Sequence, residues 1–141
     1  MKIKIILPEK FIFSTIIPIR ISDINYNDHL GNDSILSLIH EARVRFFKSM
    51  NYSELNIEGV GIIMTDAVIQ YKSEGFYGDV LLIEIAVDDF TSTGFDIKYR
   101  LSNNESGKIL AAAKTGIVFF DYDRRKITAV PEKFLNKIKS K

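Results

Sequence analysis

The chain has 141 residues, of which 46% are hydrophobic and none is cysteine. Its 19 Lys and Arg residues nearly balance 18 Asp and Glu residues, which leaves a net charge of +1. The lack of cysteine excludes thiol nucleophiles, Cys-ligated zinc and iron–sulfur clusters, and it fits a reducing compartment. The near-neutral charge gives no reason to expect nucleic acid or an anionic membrane as a partner.

This length is typical of a single domain, and its core can be large enough to need no disulfide. We therefore expect one domain over residues 1–141, with its core at about 11–122. Residues 1–7 are too short and too interrupted by lysine for a signal peptide, and no stretch approaches 18 uncharged apolar residues. A cytoplasmic protein that does not enter the membrane is the expectation.

A strand, a polar loop and a helix are predicted first. Residues 11–21 are dense in β-branched and aromatic side chains, and Pro18 restricts this strand to a sheet edge or a bulge. Residues 22–33 are rich in Asp, Asn and Gly, which is typical of a loop. In 34–50 the apolar residues recur at spacings of three and four, as on one face of a helix. Its predicted cap residues are Asn32, Asp33 or Ser34 at the start and a left-handed Asn51 at the end.

Four long strands are predicted after the helix, at 60–73, 79–90, 94–102 and 108–122. Short turns join them, so they pair largely in antiparallel fashion. Residues 131–139 are predicted to form a short amphipathic terminal helix, although its lysines indicate a solvated end. One sheet with one long helix to cover it favours an α+β fold, in which a curved antiparallel sheet wraps around that helix. The open sheet edges favour a homodimer.

Polar side chains stand at every second position before the helix. They are Asp23, Asn25, Asn27 and His29. In extended backbone they share one side, so all four are expected to converge beside the helix start. Because unpaired N–H groups point out of a helix N-terminus, a carbonyl docked there would be polarised.

This loop has two other interpretations. Asp and Asn are ordinary turn and cap residues, so a purely structural loop is the first alternative. A calcium loop is the second, since Asp23, Asn25 and Asn27 match its first three ligand positions. Calcium is rejected because position six is Asp28 instead of Gly and position twelve is Ser34 instead of Glu. We expect no metal site.

Three further residues are candidates outside the loop. Glu41 could act as a base, but it could equally pair with Arg45 one helical turn later. Asp66 is expected on one strand face among apolar residues, where its carboxylate would need a partner or an elevated pKa. Thr65 is expected on the opposite face of the same strand.

Three segments resemble the hot-dog-fold acyl-CoA thioesterases of the 4-hydroxybenzoyl-CoA thioesterase type. They are SDINYNDHLGND, ILSLIHEARVRFF and IIMTDAVIQYKSEGFYGDVLLIE. The likeness covers about residues 11–122. It implies a five-stranded antiparallel sheet around one central helix, and a homodimer or homotetramer. The implied activity is hydrolysis of a fatty or aromatic acyl thioester, carried by coenzyme A or an acyl-carrier protein, with no cofactor beyond the coenzyme A of the substrate.

The resemblance departs from the family at one position. The second Asp of the Asp-x-Asp motif is the family's usual catalytic carboxylate, and here Asn25 stands in its place. In the similar loop of plant acyl-carrier-protein thioesterases, Asn27 and His29 match functional residues, and Glu74 resembles their catalytic Glu. The chain thus retains some of the functional residues that the resemblance implies. A non-catalytic acyl-CoA or acyl-carrier binding module that has lost its base is the alternative function.

These residues define a hypothetical mechanism. The N–H groups of Gly31, Asn32, Asp33 and Ser34 are expected to hold the thioester oxygen. Asn25 or Asn27 positions a water, and His29 removes its proton, with Glu41, Asp23 and Glu74 as alternative bases. The remaining predicted substrate contacts are Thr65, Asp66, Tyr71 and Lys72. Lys72, Arg124 or Lys126 is expected to meet the phosphates of coenzyme A.

Overall fold

The computed structural model describes residues 3–141. A one-turn 3-10 helix, Ile21–Asp23, lies between the first strand and the first long helix. The other elements, in chain order, are β1 (Phe13–Pro18), α1 (Asn32–Ser49), β2 (Gly61–Tyr71), β3 (Val80–Asp88), β4 (Gly94–Asn103), β5 (Ile109–Asp121), β6 (Lys126–Ile127) and α2 (Glu132–Lys139).

The strands form one antiparallel sheet in the order β1-β3-β4-β5-β2, and the short β6 pairs with β5. The predicted order of the long elements is confirmed, while the two-residue β6 adds a sixth strand to the five predicted. The ends of β2 to β5 lie within two residues of their predicted positions. Pro18 is the last residue of β1, an edge strand of the sheet, as its missing N–H requires. The antiparallel sheet and its helix are the hot-dog arrangement that the sequence predicts.

Helix α1 buries the predicted apolar stripe against the sheet. Ile39, Ala42 and Phe46 are fully buried, and α1 contacts both β1 and β3. Each buried Ile or Phe stabilises the fold by about 1.5–3 kcal/mol relative to an exposed position. Asn51 adopts a φ of 63° two residues after α1 ends, which confirms its predicted left-handed conformation.

Helix α2 is not the solvated end that its lysines predict. Phe134 is fully buried and lies with its ring centroid 5.3 Å from that of Phe95 and 5.4 Å from that of Phe119. Ile138, one turn later, is also buried. The prediction was wrong because the exposed lysines occupy only one face of an amphipathic helix, and the two apolar residues on the other face complete the core.

Within residues 3–141, neither helix has the length and apolar character needed to cross a membrane.

Replacing Phe134 with Ala should lower the free energy of unfolding by about 3–5 kcal/mol, because it leaves a cavity among aromatic rings. Urea unfolding followed by circular dichroism measures this change. Lys133→Ala, on the exposed face of the same helix, is the control and should change stability by less than about 0.5 kcal/mol. Equal effects of the two variants would contradict the packing of α2 into the core.

Candidate active site

A cavity of about 220 Å³ lies between the start of α1 and the segment that follows β2. It brings together five of the predicted site residues: His29, Asn32, Tyr71, Lys72 and Glu74. Leu30, Ile35, Ser73 and Gly75 complete its wall. Residues some 40 positions apart in sequence therefore share one pocket at the N-terminus of the long helix.

Two hydrogen bonds hold the walls of this cavity together. The N–H of Leu30 donates to the carbonyl of Gly75 at 2.7 Å, and the Tyr71 hydroxyl donates to the carbonyl of Asn32 at 3.2 Å. A Cβ at position 75 would lie 2.6 Å from Cδ2 of Leu110 and 3.0 Å from Cδ1 of Ile19, so a side chain there would displace these two apolar side chains. Gly75 thus allows this segment to approach the core closely.

The helix begins at Asn32, two residues before the predicted start, and its N-cap is Gly31 instead of the predicted Asn32, Asp33 or Ser34; within the described chain no side chain caps it. The Gly31 N–H donates to Asp23 O at 2.9 Å, and the Ser34 N–H donates to Gly31 O at 3.1 Å. These two predicted oxyanion donors are therefore already engaged. The N–H groups of Asn32 and Asp33 remain as the candidates, and Asn32 lines the cavity.

Asn25 organises the preceding loop. Its Oδ1 accepts the N–H of Asn27 at 2.9 Å and that of His29 at 3.4 Å, while its own N–H donates to His29 O at 2.9 Å. Such side-chain turns replace extended backbone, and Asp28 takes a φ of 64° within the turn. The amide oxygen of Asn25 thus serves the fold of the loop.

The predicted convergence of four alternate side chains was wrong, because this backbone is turned instead of extended. Asp23 is buried and accepts the N–H of Arg20 at 2.8 Å, with the guanidinium Nη2 of Arg20 at 3.3 Å. Asn27 is exposed. Only His29 of the four lines the cavity among residues 3–141.

The imidazole of His29 is half-buried, with Nδ1 3.3 Å from the carbonyl oxygen of Leu30. A carbonyl only accepts hydrogen bonds, so this contact is made by the tautomer in which Nδ1 carries the hydrogen. In the neutral imidazole with this tautomer Nε2 carries the lone pair that a general base requires.

Three further predicted residues, from α1 and β2, also lie outside this cavity in the described chain. Glu41 is exposed and binds Arg45, with 2.9 Å between Oε2 and Nε, which is the ion pair that its spacing predicts. Asp66 and Thr65 were expected on opposite strand faces, but both approach Gly116: a Cβ placed there would lie 2.7 Å from Asp66 Oδ1 and 2.9 Å from Thr65 Oγ1. The register shifts between Met64 and Asp66, and such a bulge breaks the alternation of faces.

Asp66 has the partner that its position required. Lys114 Nζ lies 2.8 Å from Asp66 Oδ1, and the Gly116 N–H donates to the same oxygen at 3.0 Å. The lysine lowers the pKa of the Asp66 carboxyl, with the Gly116 N–H acting in the same direction. The elevated pKa considered for a buried carboxylate does not arise, because the lysine outweighs the effect of desolvation on a side chain that is 55% exposed.

Comparison with known proteins decides the family. A model of the thioesterase-like superfamily matches residues 19–138. The chain belongs to the thioesterase-like superfamily. A 1,4-dihydroxy-2-naphthoyl-CoA hydrolase of Synechocystis sp. is 28% identical over 103 residues, which are 71% of this chain and 75% of the relative.

Solved structures of this superfamily have the same fold. A 1,4-dihydroxy-2-naphthoyl-CoA thioesterase from Synechocystis superposes with a TM-score of 0.81 at 23% identity, covering 89% of this chain and 94% of the other. The gentisyl-coenzyme A thioesterase BH1999 gives a TM-score of 0.76 at 14% identity, with coverage of 87% and 99%. At these identities the likeness establishes the fold.

Gly75 was not among the predicted site residues. An isolated glycine directly after a predicted strand is the signal that could have identified it. Arg43 was not among them either; it is a charged residue on the apolar stripe of α1 that is buried in the structure. Its position could have been predicted from the sequence, because Arg43 follows Ile39 by four residues and precedes Phe46 by three. A helix places residues at these spacings on the same side.

Asn25→Ala should lower the free energy of unfolding by about 1 kcal/mol, because two backbone N–H groups lose their acceptor. Asn25→Asp should stay within about 0.5 kcal/mol of the wild type, since a carboxylate oxygen accepts the same bonds. Thermal unfolding of both variants measures the difference. A destabilised Asn25→Asp beside an unaffected Asn25→Ala would contradict the assigned role.

Asp66→Asn should destabilise the protein at pH 7 by less than about 1 kcal/mol, since the ion pair is largely exposed. The lowered pKa means that its stabilisation is present above the unfolded-state pKa and is lost as the pH falls through the folded-state value. The two stability curves, measured by urea unfolding, should therefore converge in acid. The stability difference between wild type and Lys114→Met should likewise disappear in acid. A stability difference that grows as the pH falls would disprove the assigned ion pair.

Proposed function

We propose that this chain is an acyl-CoA thioesterase that hydrolyses its substrate at the N-terminus of α1. The observation that carries the proposal is the cavity in which the start of α1 at Asn32 and the imidazole of His29 meet. Membership of the thioesterase-like superfamily supports it, as do the hydrolase and thioesterase names of the relatives.

In the proposed reaction the thioester carbonyl accepts hydrogen bonds from the helix start, where a good oxyanion donor stabilises the transition state by about 3–4 kcal/mol. His29 Nε2 removes a proton from water, and the oxygen of that water bonds to the carbonyl carbon. The tetrahedral intermediate collapses with cleavage of the C–S bond. The protonated imidazole returns its proton to the leaving thiolate, so the products are a free carboxylic acid and a thiol.

The other predicted polar residues fall into two groups by position. Glu74 and Lys72 line the same cavity, so Glu74 is the alternative base and Lys72 the contact for an anionic part of the substrate. Asp23 is engaged by Arg20, and Glu41 by Arg45. Asn25 cannot take up a proton, and its oxygen already accepts backbone hydrogen bonds. These contacts favour His29 among the predicted bases.

The proposed substrate is a fatty or aromatic acyl group on coenzyme A, with an acyl-carrier protein as the alternative carrier. The relatives' names support the aromatic class, since they specify dihydroxynaphthoyl and gentisyl thioesters. Exposed Arg124 and Lys126 are the further candidates for contact with the nucleotide phosphates. Coenzyme A enters as part of the substrate, and the proposed mechanism requires neither a resident cofactor nor a metal.

We further propose that the protein is a cytoplasmic homodimer or a dimer of dimers. Strand β2 is at an edge of the sheet and exposes Ile63 and Met64, which are 36% and 45% accessible. An open edge with exposed apolar side chains favours pairing with a second copy. Tyr71 and Lys72, at the end of this strand, place the cavity beside that edge.

His29→Ala should lower kcat for acyl-CoA hydrolysis by about 10²–10⁴-fold, because general-base catalysis is lost while binding contacts remain. Thiol release from a panel of aliphatic and aromatic acyl-CoAs measures the rate. Tyr26→Ala is the control, because this side chain of the same loop is exposed and lies outside the cavity. Full turnover by His29→Ala together with loss in Glu74→Gln would transfer the base role to Glu74.

The non-catalytic binding module is tested in the same assay. A wild-type protein that binds acyl-CoA but releases no thiol, alongside an active Asn25→Asp variant, would show that the chain is a binding module. Turnover by the wild type excludes that function. Since Asn25→Asp preserves the loop contacts, its activity can be compared with that of the wild type without a change in folding.

A further inference from the structure

Exposed aromatic side chains are concentrated beside the mouth of the candidate site. Within residues 3–141, five aromatic side chains are exposed, and three of them, Tyr71, Phe76 and Tyr77, follow one another closely in the chain. Phe76 is 49% accessible and Tyr77 is 65% accessible. Single exposed apolar side chains are normal on a protein surface, whereas clusters of them mark interaction sites and ligand-binding grooves. This cluster therefore calls for a partner.

The turn that carries Phe76 and Tyr77 is held firmly. The Phe76 N–H donates to Oδ2 of Asp79 at 3.0 Å, and the Asp79 N–H donates to the Phe76 carbonyl at 3.0 Å. The N–H of Ile19 donates to the carbonyl of Asp79 at 2.8 Å, which ties the turn to the end of the first strand. Gly78 supplies the φ of 90° that this turn needs. The two rings are thus exposed on a fixed backbone, as a preformed binding surface requires.

This turn continues the wall of the cavity at the start of α1. Gly75 lines that cavity and directly precedes Phe76. Because consecutive Cα atoms are about 3.8 Å apart, the Cα of Tyr77 lies within about 7.6 Å of that of Gly75. Lys72 and Glu74 line the same cavity and are exposed, so the cavity opens to solvent on this side. A group that leaves the cavity here passes the two rings.

Resting on the proposed function, we propose that Phe76 and Tyr77 bind the pantetheine arm of the thioester substrate, at the carbon that carries its two methyl groups. That carbon is ten bonds from the sulfur, which is about 11–12 Å in an extended arm. This length suits a thioester inside the cavity and two rings just beyond its wall. Burial of the two methyl groups against the aromatic faces supplies the binding energy.

The charges beside the rings favour an uncharged part of the substrate. Lys72 is offset by Glu74 on the same wall, and Asp79 adds a negative charge next to Phe76. The two rings therefore have no positive surroundings, among the residues described, that would attract the phosphates of a nucleotide or an acidic carrier protein. The arm carries no charge before its phosphate. It occurs on coenzyme A and on acyl-carrier proteins, so the contact would serve either carrier.

Three thioesters of one acid test this contact. They are benzoyl-CoA, S-benzoyl-pantetheine, which lacks the nucleotide, and S-benzoyl-N-acetylcysteamine, which ends before the methyl-bearing carbon; the octanoyl series is measured in parallel. In the full-length protein, Phe76→Ala/Tyr77→Ala should raise KM about tenfold for the first two, because two methyl groups lose their apolar partners. The kcat should stay unchanged, since the contact is the same in ground and transition states. On the N-acetylcysteamine thioester the double variant should match the wild type.

Each other pattern overturns the proposal. An increase in KM confined to benzoyl-CoA would assign the rings to the nucleotide, and a loss confined to a benzoyl-acyl-carrier protein would assign them to protein docking. Equal losses on all three small thioesters would assign them to the acyl group or to folding. An unchanged double variant would remove the rings from the reaction. A smaller assembly in sedimentation would show that they contact a second copy.

Two controls separate the aromatic contact from other effects. Phe76→Tyr/Tyr77→Phe keeps both rings and should keep the wild-type KM for all three thioesters. Tyr26→Ala removes an exposed ring that does not line the cavity, and it should also behave as the wild type. A tenfold increase in KM for the pantetheine thioester in either control would contradict the assignment.

Binding distinguishes this proposal from the proposed function. If none of the thioesters is hydrolysed, the thioesterase activity is wrong, and the rings are then tested by calorimetry with thioethers that cannot be hydrolysed. S-octyl-pantetheine and S-octyl-N-acetylcysteamine are the probes. Binding of the pantetheine form about tenfold more tightly, with the difference lost in Phe76→Ala/Tyr77→Ala, would uphold the contact with the arm. Equal binding of the two probes would overturn it.

Discussion

The candidate site depends on the attachment of the segment after β2 to the start of α1. The Leu30 N–H to Gly75 O hydrogen bond, at 2.7 Å, and the Tyr71 hydroxyl bond to Asn32 O join elements that are about 40 residues apart. These bonds place one wall of the cavity beside the exposed helix start, whose N–H groups stabilise a developing charge most strongly when bound substrate excludes water. Gly75 favours this close approach, since a side chain there would press on Leu110 and Ile19.

Helix α1 carries hydrogen-bond donors of two kinds. Near Asn32 the donors belong to the backbone, and their direction is set by the helix itself. Near Arg43 the donors belong to a buried side chain that Tyr99 and Thr115 anchor to the sheet. The first arrangement suits an oxygen that becomes negative during reaction, while the second joins the helix to the sheet through the buried Tyr99 hydroxyl.

Position 25 of the loop can serve catalysis or the fold, depending on which side chain stands there. An Asp at position 25 would be able to take up a proton, whereas Asn25 can only hydrogen-bond, and in this loop its oxygen supports two backbone N–H groups. The imidazole of His29 lines the cavity, with Nδ1 3.3 Å from the carbonyl oxygen of Leu30. The loss of a carboxylate at one position is thus compatible with a base supplied four residues later.

Local sequence patterns determined the elements and their order, because helix and strand periodicity depend on neighbouring residues alone. The alternating polar loop and the helix start made His29 and Asn32 candidates, whereas the resemblance to the thioesterases added Tyr71, Lys72 and Glu74, and the cavity unites these five. Periodicity could not reveal the turn around Asn25 or the bulge at Thr65, because both replace the extended backbone that the alternation assumes.

Only the tertiary structure decided the rest. The burial of Phe134, the need for Gly75 and the surroundings of Arg43 all arise from contacts between residues far apart in the chain. Such contacts depend on which faces the packed sheet and helices present to one another. A one-dimensional pattern shows which residues are apolar or charged, but it does not contain the distances at which they meet.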